Sequence, residues 1–263
     1  MPSPRPASTP VASPTHLVLI PSYNPGSLLK PTVLSALAQW SPVWVVVDGS
    51  TDNSLQTLEA LQADHPSLRV IHLPHNMGKG SAVLRGLEEA RAEGFTHALT
   101  MDSDGQHPAA LIPQFMQTSL AAPQAMVLGK PIFGPEAPRI RVWGRKLSNL
   151  WAGVETLGAG IGDALYGFRV YPIAPLIDVM HSQTRMRRFD FDPEAAVRLS
   201  WAGVPPINLP APVRYYQEGE GGVSHFKYLR DNTLLVWMNI RLVGGLLIRL
   251  PRLIVQRLRG QRK

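Results

Sequence analysis

The sequence predicts an α/β fold: a Rossmann-like, mostly parallel sheet flanked by helices, with amphipathic helices at the C-terminus. Two observations carry this. Short continuous apolar runs alternate four times with amphipathic helical segments between residues 16 and 129. Such runs fit strands covered on both faces. The polar, glycine-bearing segments SYNPG, DGSTDNS and DSDGQHP follow three of these runs. Right-handed crossovers bring the strand-to-helix loops to one edge of the sheet, where ligands of such folds bind.

The elements follow in order. HLVLIPSY reads as the first strand, bounded by the Asn24-Pro25-Gly26 turn. SLLKPTVLSALAQW is helical, and Pro31 suits its first turn. VWVVVD is the second strand. A helix from Asp52 to Asp64 follows, with Asp52 or Asn53 as N-cap. SLRVIHL is the third strand. SAVLRGLEEARAEG is a helix closed by Gly94. THALTMD is the fourth strand, then comes a helix over residues 109–120 and the strand AMVLG. Beyond these, residues 139–160 read as helix, GDALYGFRVYP as a strand or strand-turn, DFDPEAAVRLSWAG as a short helix, and VPPINLPAPVRYY as extended.

Composition narrows the function classes. With 44% hydrophobic residues among 263, a large core can be buried. The absence of cysteine excludes disulfides, thiolate zinc sites and a cysteine nucleophile. The net charge of +7 resides in the tail: after Asp231 there are seven cations (Arg241, Arg249, Arg252, Arg257, Arg259, Arg262, Lys263) and no acid. A neutral body with a basic apolar tail points to an anionic membrane surface rather than to nucleic acid. No charge-free stretch of the tail reaches the ~20 residues that span a bilayer, so interfacial helices are expected. Packing of a helical pair on the body is the alternative. The first 14 residues hold five prolines and no apolar signal segment. Residues 1–15 are therefore read as a disordered leader and the location as cytoplasmic, peripheral on the inner face of the cytoplasmic membrane.

Chemistry is expected first at Asp102 and Asp104. In an extended segment they point the same way, and two carboxylates at a strand end can hold a hard divalent cation against a diphosphate. Oxygen ligands favour Mg²⁺ or Mn²⁺. Asp48, ending the second strand, is a candidate acceptor for a base or ribose; a turn with an N-cap is the alternative. In Asn76-Met77-Gly78-Lys79-Gly80, two glycines at a helix start would admit an anion, and Lys79 would add charge; a plain glycine turn is the alternative.

Taken together, SYNPG, VVVDGSTDNS, NMGKGSAVLRGLEEA, LTMDSDGQHP and YGFRVYP, in this order over roughly residues 16–200, resemble the family-2 inverting glycosyltransferases with a GT-A fold. Dolichyl- and polyprenyl-phosphate sugar synthases are among that family's members. The resemblance implies a domain over residues 16–215 and a hinge with a membrane-associating tail over 216–263. It implies a nucleotide-diphospho-sugar donor and a lipid or polyprenyl-phosphate acceptor. Nucleotide contacts fall near Pro21, Tyr23, Asn24 and Asp48, with Asn76, Gly78 and Lys79 behind them, and metal-diphosphate binding falls to Asp102 and Asp104. Val47 stands where the family often has a paired aspartate, and Pro25-Gly26 where it often has an acid, so uridine and guanosine both stay open.

The candidates for a general base are Asp163, Asp190 and Asp192, with Asp192 first and Glu194 beside it; capping and helix-dipole roles are the alternatives. A phosphate acceptor is already ionised and hardly needs a base. Arg169 is a candidate phosphate contact, with a structural arginine as the alternative. Ser224 and His225, in the glycine-rich segment before the tail, are candidate phosphate contacts in the manner of the family; a hinge is the alternative. Other readings are a nucleotidyltransferase and a non-catalytic membrane module. A dinucleotide oxidoreductase is disfavoured, since no Gly-x-Gly-x-x-Gly follows the first strand.

Overall fold

The structure, a computed structural model, describes residues 10–134, 139–213 and 228–260. In chain order its elements are β1 (Val11–Ala12), β2 (His16–Ser22), α1 (Leu29–Leu37), β3 (Trp40–Ser41), β4 (Val43–Asp48), α2 (Ser54–Asp64), β5 (Leu68–Leu73) and α3 (Lys79–Ala92). Then come β6 (His97–Thr100), α4 (Ile112–Ala121), β7 (Met126–Ile132), α5 (Arg139–Glu155), β8 (Arg169–Pro172), α6 (Ile173–His181), α7 (Phe191–Trp201), β9 (Pro206–Pro212) and α8 (Tyr228–Gly260).

Seven strands form one sheet in the order β5-β4-β2-β6-β8-β7-β9. The pairs among β5, β4, β2 and β6 are parallel, so their carboxyl ends share one edge. β8 runs antiparallel to both neighbours and sets Arg169 opposite Thr100. Its start, not its end, therefore lies at the loop-bearing edge.

Side-chain alternation along the strands divides the core. Val18, Ile20, Val43, Val45 and Val47 pack on one face with Val33 of α1, Leu58 of α2 and Phe115 of α4. Leu17, Leu19, Trp44 and Val46 pack on the other with Val83 of α3, Leu176 of α6 and Leu199 of α7. Because side chains in a strand have a period of two, continuous apolar strands require helices on both faces. That is the arrangement found.

Three expectations need correction. The leader does not extend to residue 15: Val11–Ala12 pairs in parallel with Trp40–Ser41, and the carbonyl of Thr15 accepts from the backbone of Thr96 and His97. Pro10 and Pro14 flank this short strand without having to donate to it. Helix α6 was not foreseen; Pro172 is its extended N-cap and Pro175 lies in its first turn, where a missing N–H costs nothing. The tail is one helix of 33 residues that runs through Pro251, not a pair. Its segment Arg230–Val255 is long and apolar enough to cross a membrane by length and composition, although it holds Arg230, Asp231, Arg241, Arg249 and Arg252. Met238, Leu242 and Leu246 of α8 nevertheless pack against Ala152, Val197 and Trp201. Arg241 pairs at 3.0 Å with the fully buried Glu194, which also holds Arg198 at 2.7 Å.

His16 and His97 stack as parallel rings, 4.4 Å apart, under the sheet's far edge. Burial, and secondarily the neighbouring His97, pulls His16 down to about 4. Burial also lowers His97. Between about 6.5 and 4 the unfolded chain takes up a proton that folded His16 refuses. Stability is thus full above the unfolded value and falls as pH drops through this window. The melting temperature, followed by circular dichroism, should decline there, and His16→Gln should flatten part of the slope. An unchanged slope in the variant would contradict the assignment.

Candidate active site

Asp102, Asp104 and His107 lie in the loop that leaves β6, and Lys79 opens α3. Lys79 Nζ sits 2.6 Å from Asp102 Oδ1 and 2.6 Å from Asp192 Oδ2. Three distant stretches of chain thus meet on one ammonium. Burial alone would lower Lys79, but the two carboxylates outweigh it and raise it well above the usual lysine range. Burial pushes Asp102 up, while Lys79 and His107 more than offset this and hold it near 2.

Asp104 behaves oppositely. Burial first, and the charge of Asp102 second, push it up to about 6. One of its oxygens accepts from the backbone N–H of Gln106 at 3.0 Å. The buried Asp192 Oδ1 has no hydrogen-bond partner. Three carboxylates thus face one ammonium, and a cation would relieve the surplus. The donor set is all hard oxygen, which fits Mg²⁺ or Mn²⁺ held by Asp102 and Asp104. Among the described residues no cluster of three acidic or histidine side chains is preassembled as a complete metal cage.

Sequence reasoning missed the residues that shape this cluster. His107 is buried; burial takes it down to about 4, so its Nδ1 accepts from the Asp102 N–H at 2.9 Å. Its ring meets Tyr166 edge-on at 4.7 Å. Gly167 leaves room for the ion pair: a Cβ there would lie 2.7 Å from Lys79 Nζ and 3.2 Å from Asp102 Oδ2. The Thr100 hydroxyl donates to the Gly167 carbonyl at 3.0 Å. The signals were His107 three residues after Asp104 and Gly167 within YGFRVYP, but only the topology shows that they meet.

Several candidates have their polar atoms engaged within the chain. Asp48, buried, accepts from the N–H groups of Met77 and Gly78 at 2.8 Å each and from Asn76 Nδ2 at 3.1 Å. It clamps the loop that carries Lys79, and Asn76 is part of the clamp. Gly78 and Gly80 serve close packing: a Cβ would come 2.4 Å from the Arg187 carbonyl oxygen and 2.0 Å from that of Met186, respectively. The Arg187 carbonyl also accepts from the Ser81 N–H at 3.2 Å, so the start of α3 is occupied by the chain itself rather than left open to an anion. Lys79 likewise meets carboxylates where a phosphate was expected.

Arg169 is a structural arginine. At 0% exposure, its Nε donates to the Tyr166 carbonyl at 2.6 Å, Nη1 to the Asp192 carbonyl at 2.5 Å, and Nη2 to the Asp163 carbonyl at 3.0 Å. A phosphate has no route to it. Asp163 accepts from the N–H groups of Leu165 and Tyr166 and from Arg145, at 2.7–2.9 Å. Asp190 accepts from the N–H groups of Met186 and Arg188. Both are buried loop locks, poorly placed to take a proton from an acceptor. Asp192 alone of the three joins the cluster.

Asn24, at positive φ, accepts from the Thr51 and Asp52 N–H groups and ties the first loop to the second. Pro21 is buried in β2 and Tyr23 lies half-buried beside it. Ser224 and His225 lie outside the described residues.

The model of glycosyl transferase family 2 matches residues 17–177, more than half of the chain. The chain belongs to glycosyl transferase family 2. A polyprenol monophosphomannose synthase of Mycolicibacterium smegmatis is 27% identical over 79% of this chain and 79% of its own length. An undecaprenyl-phosphate mannosyltransferase of Micrococcus luteus is 24% identical over 79% of this chain and 87% of its own. A dolichol-phosphate mannosyltransferase of Mycosarcoma maydis is 32% identical over 45% of this chain; the match spans only 42% of that relative. Among solved structures, glucosyl-3-phosphoglycerate synthase of Mycobacterium tuberculosis with bound UDP superposes with a TM-score of 0.56 at 19% identity, over 89% of this chain and 79% of that one. This likeness shows the fold, the expected GT-A arrangement.

The clamp is directly testable. Asp48→Asn places an amide N–H₂ against a backbone N–H, and should cost about 1–3 kcal/mol of unfolding free energy. Urea denaturation measures it. An unchanged stability would show that the loop does not depend on Asp48.

Proposed function

We propose that this family member transfers a sugar, with inversion, from a nucleotide-diphospho-sugar to a polyprenyl-phosphate or related lipid acceptor at a membrane. The observation that carries the reading is the convergence of Asp102, Asp104 and Asp192 around Lys79 at the loop-bearing edge of the sheet. The relatives named above, which carry polyprenyl- and dolichol-phosphate sugar transfer in their names, support the acceptor class. A neighbouring structure holding Mn²⁺ and UDP supports the donor class and the divalent ion.

Asp102 and Asp104 would hold the ion, whose chemistry is to neutralise the diphosphate that departs. The chain's own residues do the rest. His107 fixes the Asp102 backbone through its N–H. Lys79 draws Asp192 to the cluster and supplies a further positive charge. Asp192 faces the acceptor side and positions it; an ionised phosphate acceptor attacks without losing a proton to the enzyme. The base and the sugar are not specified by these contacts.

Membrane association is part of the proposal. On α5, Trp143 (69% exposed), Leu147, Leu150 and Val154 present apolar side chains to the outside. Lys146 lies 4.6 Å over the Trp143 ring. The exposed Val236, Trp237, Ile240, Leu247 and Ile248 of α8 do likewise. Apolar side chains beside cations are the composition of helices that lie in a bilayer interface.

Wild-type protein should be stabilised against heat by a nucleotide-sugar with Mn²⁺, and Asp104→Asn should lose this metal-dependent shift together with roughly 10²–10³ of kcat/KM. A screen of UDP-, GDP- and dTDP-sugars by thermal shift and by radiolabel transfer to polyprenyl phosphate reads both. Full activity in Asp104→Asn would sink the assignment. Asp192→Asn should raise KM for the acceptor more than KM for the donor; the opposite split would place Asp192 on the donor side.

A further inference from the structure

A second charged cleft lies between the segment 184–190 and α8. Its volume is about 600 Å³; the segment 184–190 lends Arg185, Arg187 and Arg188 to its lining, and α8 lends Leu234, Trp237, Ile240 and Arg241. We infer that this cleft binds the phosphate headgroup of a membrane lipid, with the lipid's apolar chain lying along Leu234, Trp237 and Ile240.

Charge is the first argument. Asp190 and Arg241 are charged members of the lining compensated within the chain: Asp190 takes the N–H groups of Met186 and Arg188, and Arg241 is neutralised by Glu194. Arg185, Arg187 and Arg188 have no carboxylate partner among the described residues. Three guanidinium groups within four residues repel one another. An anion resolves this, and guanidinium forks match phosphate oxygens.

The second argument is an orphaned donor. Arg187 Nη1 is shielded from solvent and has no hydrogen-bond partner, while its Nη2 reaches the Met180 and Gln183 carbonyls at 3.4 Å each. The third is the opposite wall. Trp237 is 59% exposed and Ile240 55%, so apolar surface faces outward beside the cations. A free anion would use only the arginine wall; a phosphate carrying a hydrocarbon chain uses both.

The inference rests on the proposed membrane association, though not on sugar transfer, and its test contains no donor. Full-length protein is bound to vesicles of neutral phosphatidylcholine, of phosphatidylcholine with phosphatidylglycerol, and of phosphatidylcholine with a long-chain polyprenyl phosphate. The double variant Arg185→Ala/Arg188→Ala changes exposed side chains only. It should bind one or both phosphate-bearing vesicles on the order of 30-fold more weakly, while its weak binding to neutral vesicles stays unchanged. The vesicle that shows the loss identifies the source of the headgroup. Trp237→Ala should weaken binding to the same vesicles. Equal binding by wild type and double variant overturns the inference. So does full competition by inorganic phosphate together with no effect of Trp237→Ala, which would mark an anion site only.

Discussion

Two carboxylates from distant parts of the chain, Asp102 and Asp192, meet on a single ammonium, that of Lys79. Without it they would face each other in a half-buried site, where repulsion between like charges is much stronger than in water. The pairing decides more than local geometry. Lys79 belongs to the four-strand parallel half of the sheet, and Asp192 to the first turn of α7, beyond the antiparallel strand. The contact therefore fixes the second half of the molecule against the first at the loop-bearing edge of the sheet. It also leaves one carboxylate, Asp104, short of compensation: burial and the charge of Asp102 push it up to about 6.

Much of the surrounding structure serves this contact. Asp48 holds the backbone of Met77 and Gly78, and so aims the loop that delivers Lys79. Gly78 and Gly80 permit the start of α3 to touch the carbonyls of residues 186 and 187, closer than any side chain would allow. Arg169 anchors the backbone of Asp192 and Asp163 from beneath. Asp190 stiffens the turn that precedes α7. Residues that look like ligand contacts when read singly thus act as the scaffold for a smaller set that faces the ligand.

This explains what was legible in the sequence. The strands and their loop edge were, because continuous apolar runs with a period of two admit one parallel arrangement with helices on both faces. Asp102 and Asp104 stood out by their position at the end of the fourth predicted strand, and they lie in the loop that leaves β6, where Asp102 meets Lys79. Arg169 and Asp163 were misread as candidates for chemistry, since burial of a charged side chain is invisible until the partner carbonyls are in place. Helix α6 was left unassigned, although its prolines suit it, one at its N-cap and one in its first turn. The tail was read by its short charge-free stretches as separate helices, yet α8 runs on as one helix, with Gly245 against the Trp201 ring. His107 and Gly167 carry only the faint signals of a residue near Asp104 and of a glycine in YGFRVYP; their meeting arises from the strand β8 reversing direction beside β6.

The central claim concerns the coupling of Lys79 to Asp192, and a double-mutant cycle measures it most directly. Unfolding free energies would be compared for wild type, Lys79→Met, Asp192→Asn and the double variant. Direct ion pairing predicts a coupling of roughly 1–3 kcal/mol, so that the double variant is less destabilised than the sum of the singles. Effects that add to within about 0.5 kcal/mol would contradict the account.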